Sequence, residues 1–222
     1  MSGPVKTSCY TWMQAISRIV KQHSPDEVTP YIHKIFQSFE WREEYNCSPV
    51  SHEELAAKQH FCLMLSKVSL KNFARWKFTT TSTGQGYLEA DINPDPATMK
   101  QIRIATTQLE CPSPPAPMHC MERYIQAEHA VVALGSAANV VFGGDMSWDD
   151  NTDLPFPLPA GWVDAWTLMK PHEDGTGSSS TRSGDWIEPF RAGGLCNAPR
   201  KRSDRFACKL RDYELRIVTY RA

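Results

Sequence analysis

The chain has 222 residues, of which 41% are hydrophobic and 22% charged. That is enough apolar material for one sizeable core or two small domains, one domain being the simpler expectation. Formal net charge is only -1, which excludes a uniformly basic or acidic binder, but the charge is uneven. Residues 199–222 carry Arg200, Lys201, Arg202, Arg205, Lys209, Arg211, Arg216 and Arg221 against Asp204, Asp212 and Glu214, so this tail is net +5 and the remainder net -6. Such a tail suits either a phosphate-rich partner or a surface folded back on the acidic remainder.

Seven cysteines are scattered without paired zinc-type spacing, which points to a reducing compartment. No stretch approaches the length of a membrane span, and the start lacks a signal peptide's apolar core. The expectation is a soluble, intracellular chain that makes no use of a membrane.

In chain order, Tyr10 to His23 places Met13, Ile16, Ile19 and Val20 at near-helical spacing and stops at Ser24-Pro25. Thr29-Pro30 offers a cap and first-turn proline for a second helix with Ile32, Ile35 and Phe36 on one face. Phe61 to Val68 reads as a central strand, with Cys62 a small buried hydrophobe within it. Tyr87 to Ile92 alternates, and Ile102 to Thr106 can pair with it across Asn93-Pro94-Asp95-Pro96. After a stiff loop at 112–117, Met121, Tyr124, Ile125, Val131 and Val132 recur at helical intervals until Gly135. A strand at Val140-Val141-Phe142 follows, then a surface loop rich in Asp and Pro, then Trp162-Val163-Asp164-Ala165-Trp166. Residues 172–194 have little apolar content and read as a flexible excursion before Asp204 to Leu210 and a final strand at Leu215 to Tyr220. The organisation is one layered α/β domain over 10–222.

The strand that empties into Gly143-Gly144-Asp145 is the most informative stretch. Glycines permit close backbone approach, and a carboxylate at a strand's mouth can hold a metal or orient water, although Gly and Asp also dominate ordinary turns. Asp145, Asp149, Asp150 and Asp153 crowd four carboxylates into nine residues, which magnesium or plain solvation would relieve; for the last three a solvated acidic loop is expected. Trp148 either stacks on a base or sugar or pins its loop. Gln108 and Glu110 leave a strand and could both face a cleft, Gln108 positioning water or phosphate. Asp164, between Val163 and Ala165, should accept backbone or arginine hydrogen bonds. Arg205 with Asp204 reads as a structural pair or a phosphate clamp.

Together these segments carry a resemblance. Ser24-Pro25-Asp26-Glu27-Val28-Thr29-Pro30, Thr106 to Pro112, Asn139 to Asp150, Phe156 to Trp166 and Arg202 to Phe206 look like the tyrosyl-DNA phosphodiesterases of the second type, in the plant-like branch of the endonuclease/exonuclease/phosphatase superfamily. The resemblance implies a four-layered α/β sandwich and a magnesium-dependent hydrolase, with manganese the alternative metal, that removes topoisomerase tyrosine adducts from DNA 5′ ends in the nucleus, the cytoplasm being the alternative location. By matching motif, Glu27 would be a metal ligand and Asp145 a metal ligand and the acid that activates water. Asp164 and Asp204 would be supporting residues, and Trp148 and Arg205 would meet substrate. Gln108 stands where the family has histidine, and Ser147 where it has asparagine, both at catalytic positions.

Other departures concern whole segments. Pro25-Asp26 runs straight into Glu27 where the family has a hydrophobic strand, and the family's first strand has no counterpart before Tyr10. The chain stops at Ala222 before the expected Ser-Asp-His segment. The sandwich is therefore expected to be incomplete at both ends, with exposed sheet edges. The implied activity is impaired, the alternative being a catalytically defective DNA-binding or protein-interaction remnant.

Overall fold

A computed structural model describes residues 43–49, 62–81, 84–95, 97–111, 118–150, 152–169 and 203–215. The two N-terminal helices expected from the sequence, Glu27, the loop at 112–117 and the excursion at 172–194 lie outside them. Two compact units are present, Met1–Thr107 and Gln108–Ala222.

In the first unit, β1 (Asn46–Cys47) pairs antiparallel with β2 (Leu65–Ser66). Ser48 closes one end of this ladder, its amide donating to the Met64 carbonyl at 2.9 Å and its Oγ accepting from the Met64 amide at 3.1 Å. The expected strand over Phe61 to Val68 thus shrinks to two residues, because the turn at Lys67-Val68 ends it. The longer strand β3 (Leu70–Lys77) follows, unforeseen because its apolar residues do not alternate. A bulge explains this: the register slips between Lys71 and Ala74, and Asn72 takes a φ of 53°.

Strand β4 (Gly86–Ile92) lies between β3 and β5 (Ile102–Gln108), antiparallel to both. The expected antiparallel pairing of β4 with β5 is formed, from Tyr87 opposite Thr107 to Ile92 opposite Ile102. Leu88 and Ala90 enter an apolar cluster with Met64 and Leu70, against which Cys62, Phe73, Ile92 and Ile104 pack. The opposite face of β4 is also buried, with Tyr87, Glu89 and Asp91. Asp91 lies directly across from Arg103, whose Nε donates to it at 3.0 Å, while Asn72 Nδ2 donates to its other oxygen at 2.9 Å. Asp91 is tolerated because a guanidinium and an amide supply its hydrogen bonds, and Glu89 lies 3.9 Å from the same guanidinium.

In the second unit, α1 (Cys120–Leu134) spans the expected helix and Gly135 ends it. Its buried face is mixed, with Arg123 and Gln126 beside Ala127, Ala130, Val131 and Leu134. Strand β6 (Asn139–Asp145) pairs antiparallel with β8 (Asp204–Leu210), from Asn139 opposite Leu210 to Asp145 opposite Asp204. Short β7 (Val163–Asp164) adds to the other side of β8 and leads into α2 (Ala165–Met169). Val140, Phe142, Ala207 and Cys208 are buried along this ladder. Asn139 closes its far end: its Oδ1 accepts from the amides of Arg211 and Asp212, both at 2.9 Å. The final strand expected from Leu215 onward has Leu215 in coil, and the rest falls outside the described residues.

Candidate active site at the mouth of strand β6

Asp145 is the last residue of β6 and Asp204 the first of β8, directly opposite each other. Directly opposed residues share a sheet face, so two carboxylates stand side by side at one end of the ladder. The backbone around Asp145 is fixed on both sides, its carbonyl accepting from the Leu109 amide at 3.0 Å and the Met146 amide reaching the Ser203 carbonyl at 2.6 Å. Asp145 Oδ1 accepts twice from Ser147, from its amide at 2.8 Å and its hydroxyl at 3.3 Å. Ser147 sits at a φ of 48°, a left-handed conformation that costs energy for a residue with a Cβ and persists where surrounding bonds hold it. Burial first, and then the Asp204 charge, push the Asp145 carboxyl above its ordinary range, while the two Ser147 hydrogen bonds oppose the rise.

The segment leaving β5 completes the cluster. Gln108 Nε2 donates to Cys111 Sγ at 3.5 Å, and that sulfur lies 3.0 Å from Ser147 Oγ. Three of the sequence-derived residues, Asp145, Ser147 and Gln108, are thereby brought together. Glu110 is not among them. It is buried, its amide donating to Gln126 Oε1 at 2.9 Å and its carboxylate accepting from Gln126 Nε2 at 3.3 Å, so it serves the packing of α1.

Arg205 is not paired with Asp204. Consecutive strand residues point to opposite faces, and the Arg205 guanidinium meets Asp164 at 3.4 Å and Asp150 in a close ion pair. Asp164 behaves as expected, accepting from Arg205 and from the Trp166 amide at 3.0 Å. Trp148 is fully buried, donates from its indole N–H to the Leu154 carbonyl at 3.2 Å, and meets Phe156 edge-on at 4.8 Å. The guanidinium of Arg205 lies 5.4 Å from the Phe156 ring centre and 6.0 Å from that of Trp148. These are the contacts of a loop anchor: Trp148 offers no face for stacking a base, and Arg205 is engaged by two carboxylates.

The acidic loop is not simply solvated. Asp149 is buried, and Asp153 forms an ion pair with Arg123 at 2.7 Å in which neither side chain is exposed. Only Asp150 is well exposed, and it holds Arg205. Neither Arg123 nor Cys111 was assigned a role from the sequence. A lone arginine within the apolar repeat of α1 was the available signal for the first; for Cys111 there was none, because its partner lies 36 positions away.

Among the described residues no group of three or more His, Cys, Asp or Glu side chains converges on one point. A magnesium ion, however, is commonly held by one or two carboxylates with water and phosphate oxygens completing its shell. Asp145 and Asp204 fit such a cation, since both are hard oxygen donors whose mutual repulsion it would relieve, and Asp145 Oδ2 takes no hydrogen bond from the described residues. Glu27, the other expected ligand, lies outside them.

Comparison with solved structures identifies the architecture. Truncated Caenorhabditis elegans TDP2 matches with a TM-score of 0.57 and 20% identity, covering 90% of this chain and 77% of that one. This is the endonuclease/exonuclease/phosphatase type of α/β sandwich. TDP2 from C. elegans matches at 0.54 and 19% identity, covering 90% of this chain and 60% of that one, so this chain spans less than two thirds of its length. The D. rerio TDP2 complexed with single strand DNA product matches at 0.54 and 19%, covering 82% and 68%. No family model and no curated protein matches the chain.

Proposed function

We propose that this chain is a slow, magnesium-dependent phosphodiesterase acting on DNA 5′ ends that carry a tyrosine adduct. The observation that carries the reading is the Asp145–Asp204 pair at the end of the β6–β8 ladder, with Ser147 locking Asp145 in place. Likeness in fold to a TDP2 complexed with a single strand DNA product supports the substrate class.

Asp145 and Asp204 would hold the magnesium ion, which when bound supplies positive charge to the phosphoryl oxygens. Asp145 orients the attacking water and accepts its proton through Oδ2, the oxygen left open by Ser147. The water oxygen bonds to phosphorus as the phosphorus–tyrosine oxygen bond breaks, and the phenolate departs. A phenol has a pKa near 10, so its anion leaves without strong acid assistance. That suits a site in which Gln108, whose amide does not exchange protons at neutral pH, stands where the resembling family has histidine. Gln108 and Ser147 can hydrogen-bond but do not transfer protons at neutral pH, and each transition-state donor that is absent costs on the order of 10²–10³ in rate.

A second reading is a DNA-binding or protein-interaction remnant, favoured by Gln108 being turned onto Cys111. A 5′-tyrosyl oligonucleotide incubated with the chain and magnesium distinguishes the two. Slow release of tyrosine supports the enzyme, whereas binding of the oligonucleotide with no release supports the remnant.

A further inference from the structure

The Asp145 site is supported by a residue to which the sequence reading assigned no role. Cys111 has a free, half-buried thiol three residues beyond Gln108. Its sulfur makes three contacts: with Gln108 Nε2 at 3.5 Å, with Ser147 Oγ at 3.0 Å and with the Leu109 carbonyl at 3.6 Å. The direction of these bonds follows from what each atom can give. An amide N–H can only donate, so Gln108 donates to the sulfur. A carboxylate can only accept, so the Ser147 hydroxyl proton is spent on Asp145 Oδ1. A carbonyl can only accept as well, so the single thiol proton is shared between two acceptors, the Leu109 carbonyl and Ser147 Oγ, of which Ser147 Oγ is the nearer.

We infer that Cys111 is a positioning residue of the proposed phosphodiesterase site, the middle link of a one-way donor chain running Gln108, Cys111, Ser147, Asp145. Each bond in such a chain polarises the next. Its structural purpose is visible in Ser147, whose backbone is left-handed and whose amide and hydroxyl both land on one carboxylate oxygen. Two donors on Oδ1 fix the carboxylate rotamer and leave Oδ2 for the cation and water. Without the thiol, the hydroxyl loses the contact that holds its rotamer and turns to solvent, and the strained Ser147 backbone loses part of its restraint. A serine at position 111 can donate as the thiol does; an alanine cannot.

The inference rests on the proposed function for its cation, and two measurements on the full chain keep the failures apart. The first follows the Gly144 and Asp145 amide shifts as magnesium chloride is added to wild type, Cys111→Ala and Cys111→Ser. Residues that orient a metal ligand typically contribute 10- to 100-fold to affinity, so Cys111→Ala should weaken the magnesium Kd about 10-fold and Cys111→Ser should stay within about twofold of wild type. A wild type that shows no response at Gly144 and Asp145 counts against the proposed function. A wild type that responds while Cys111→Ala matches it, or while Cys111→Ser is as weak as Cys111→Ala, overturns the inference.

The second measurement needs no cation. Hydrogen exchange of the Ser147 amide, in chelator, should be about 10-fold faster in Cys111→Ala than in wild type and Cys111→Ser. Exchange of the Met146 amide, held by Ser203, should not change. Equal Ser147 exchange in all three proteins overturns the inference even if magnesium never binds, and an equal rise at Met146 shows general loosening in place of positioning.

Discussion

Asp204 faces Asp145 across the β6–β8 ladder, two like charges in direct cross-strand register. Such an arrangement costs about 0.2–1 kcal/mol relative to a neutral pair, and it is kept where something else uses it. Adding magnesium should stabilise wild type and leave Asp204→Asn nearly unmoved, as bound ligand stabilises only the state that binds it. Equal magnesium gains in both proteins would remove Asp204 from the site.

The pH dependence of stability separates two carboxylates of this loop region. Asp145 is raised by burial and by Asp204, so the native state binds its proton more tightly than the unfolded state does. Its charged form is a native-state burden that is absent at low pH and grows as pH rises from the ordinary value of 3.8 through the raised one. Urea melts in metal-free buffer should accordingly show Asp145→Asn more stable than wild type at neutral pH, with the advantage gone below 3.8. For Asp153, burial is outweighed by hydrogen bonds from Arg123, Cys120 and the Asp149 amide, which hold it low. Its contribution is present above the ordinary carboxyl range and is lost as pH falls through its lowered value. An Asp145→Asn advantage that increases toward acid would contradict the assignment.

The Arg123–Asp153 pair is closed to solvent on both sides and joins α1 to the loop that follows the site. Removing one partner leaves a buried charge uncompensated, so Arg123→Ala should cost about 3–5 kcal/mol in urea unfolding. Replacing both, as Arg123→Met with Asp153→Leu, should recover much of that loss, since an apolar pair often substitutes for a buried ion pair. Additive losses would show that the two side chains act independently.

Gly143 owes its identity to the ring across from it. A Cβ there would lie 2.5 Å from Phe206 Cδ1 and 3.2 Å from the Arg205 carbonyl oxygen. Gly143→Ala should destabilise by about 1–3 kcal/mol, the usual cost of overpacking. Phe206 is 41% exposed and opposes Gly143 in the ladder, so adding Phe206→Ala should return most of it. No coupling between the two substitutions would refute the packing argument.

The residues differ in how far their roles could be read in advance. Periodicity was sufficient for β4 and β5, whose apolar positions alternate, an apolar run marked β6, and Gly135 marked the end of α1. The face of α1 was misread, because Met121, Ile125 and Val132 are exposed and the buried side is Arg123, Gln126, Ala127, Ala130, Val131 and Leu134. Periodicity failed at β3, where a bulge breaks the alternation, and over Phe61 to Val68, where an apolar run is interrupted by a turn. In the site, Asp145 was legible from its place after a buried strand and two glycines. The partners were not, because they depend on register: Asp204 was assigned to its neighbour Arg205, whereas pleating sends the two to opposite faces. The acidic run looked solvated because charge density alone does not reveal that Arg123 and Arg205 are spent within it.

Hydrolysis of a 5′-tyrosyl oligonucleotide by the full chain, with magnesium or with chelator, alongside Asp145→Asn, tests the proposed function most directly. Asparagine keeps an oxygen for the Ser147 hydrogen bonds while removing the charge, and melting curves confirm that the variant is folded. The expected result is slow tyrosine release that requires magnesium and falls to the no-protein background in Asp145→Asn. Release that persists in Asp145→Asn, or no release by wild type while the oligonucleotide is bound, would contradict it.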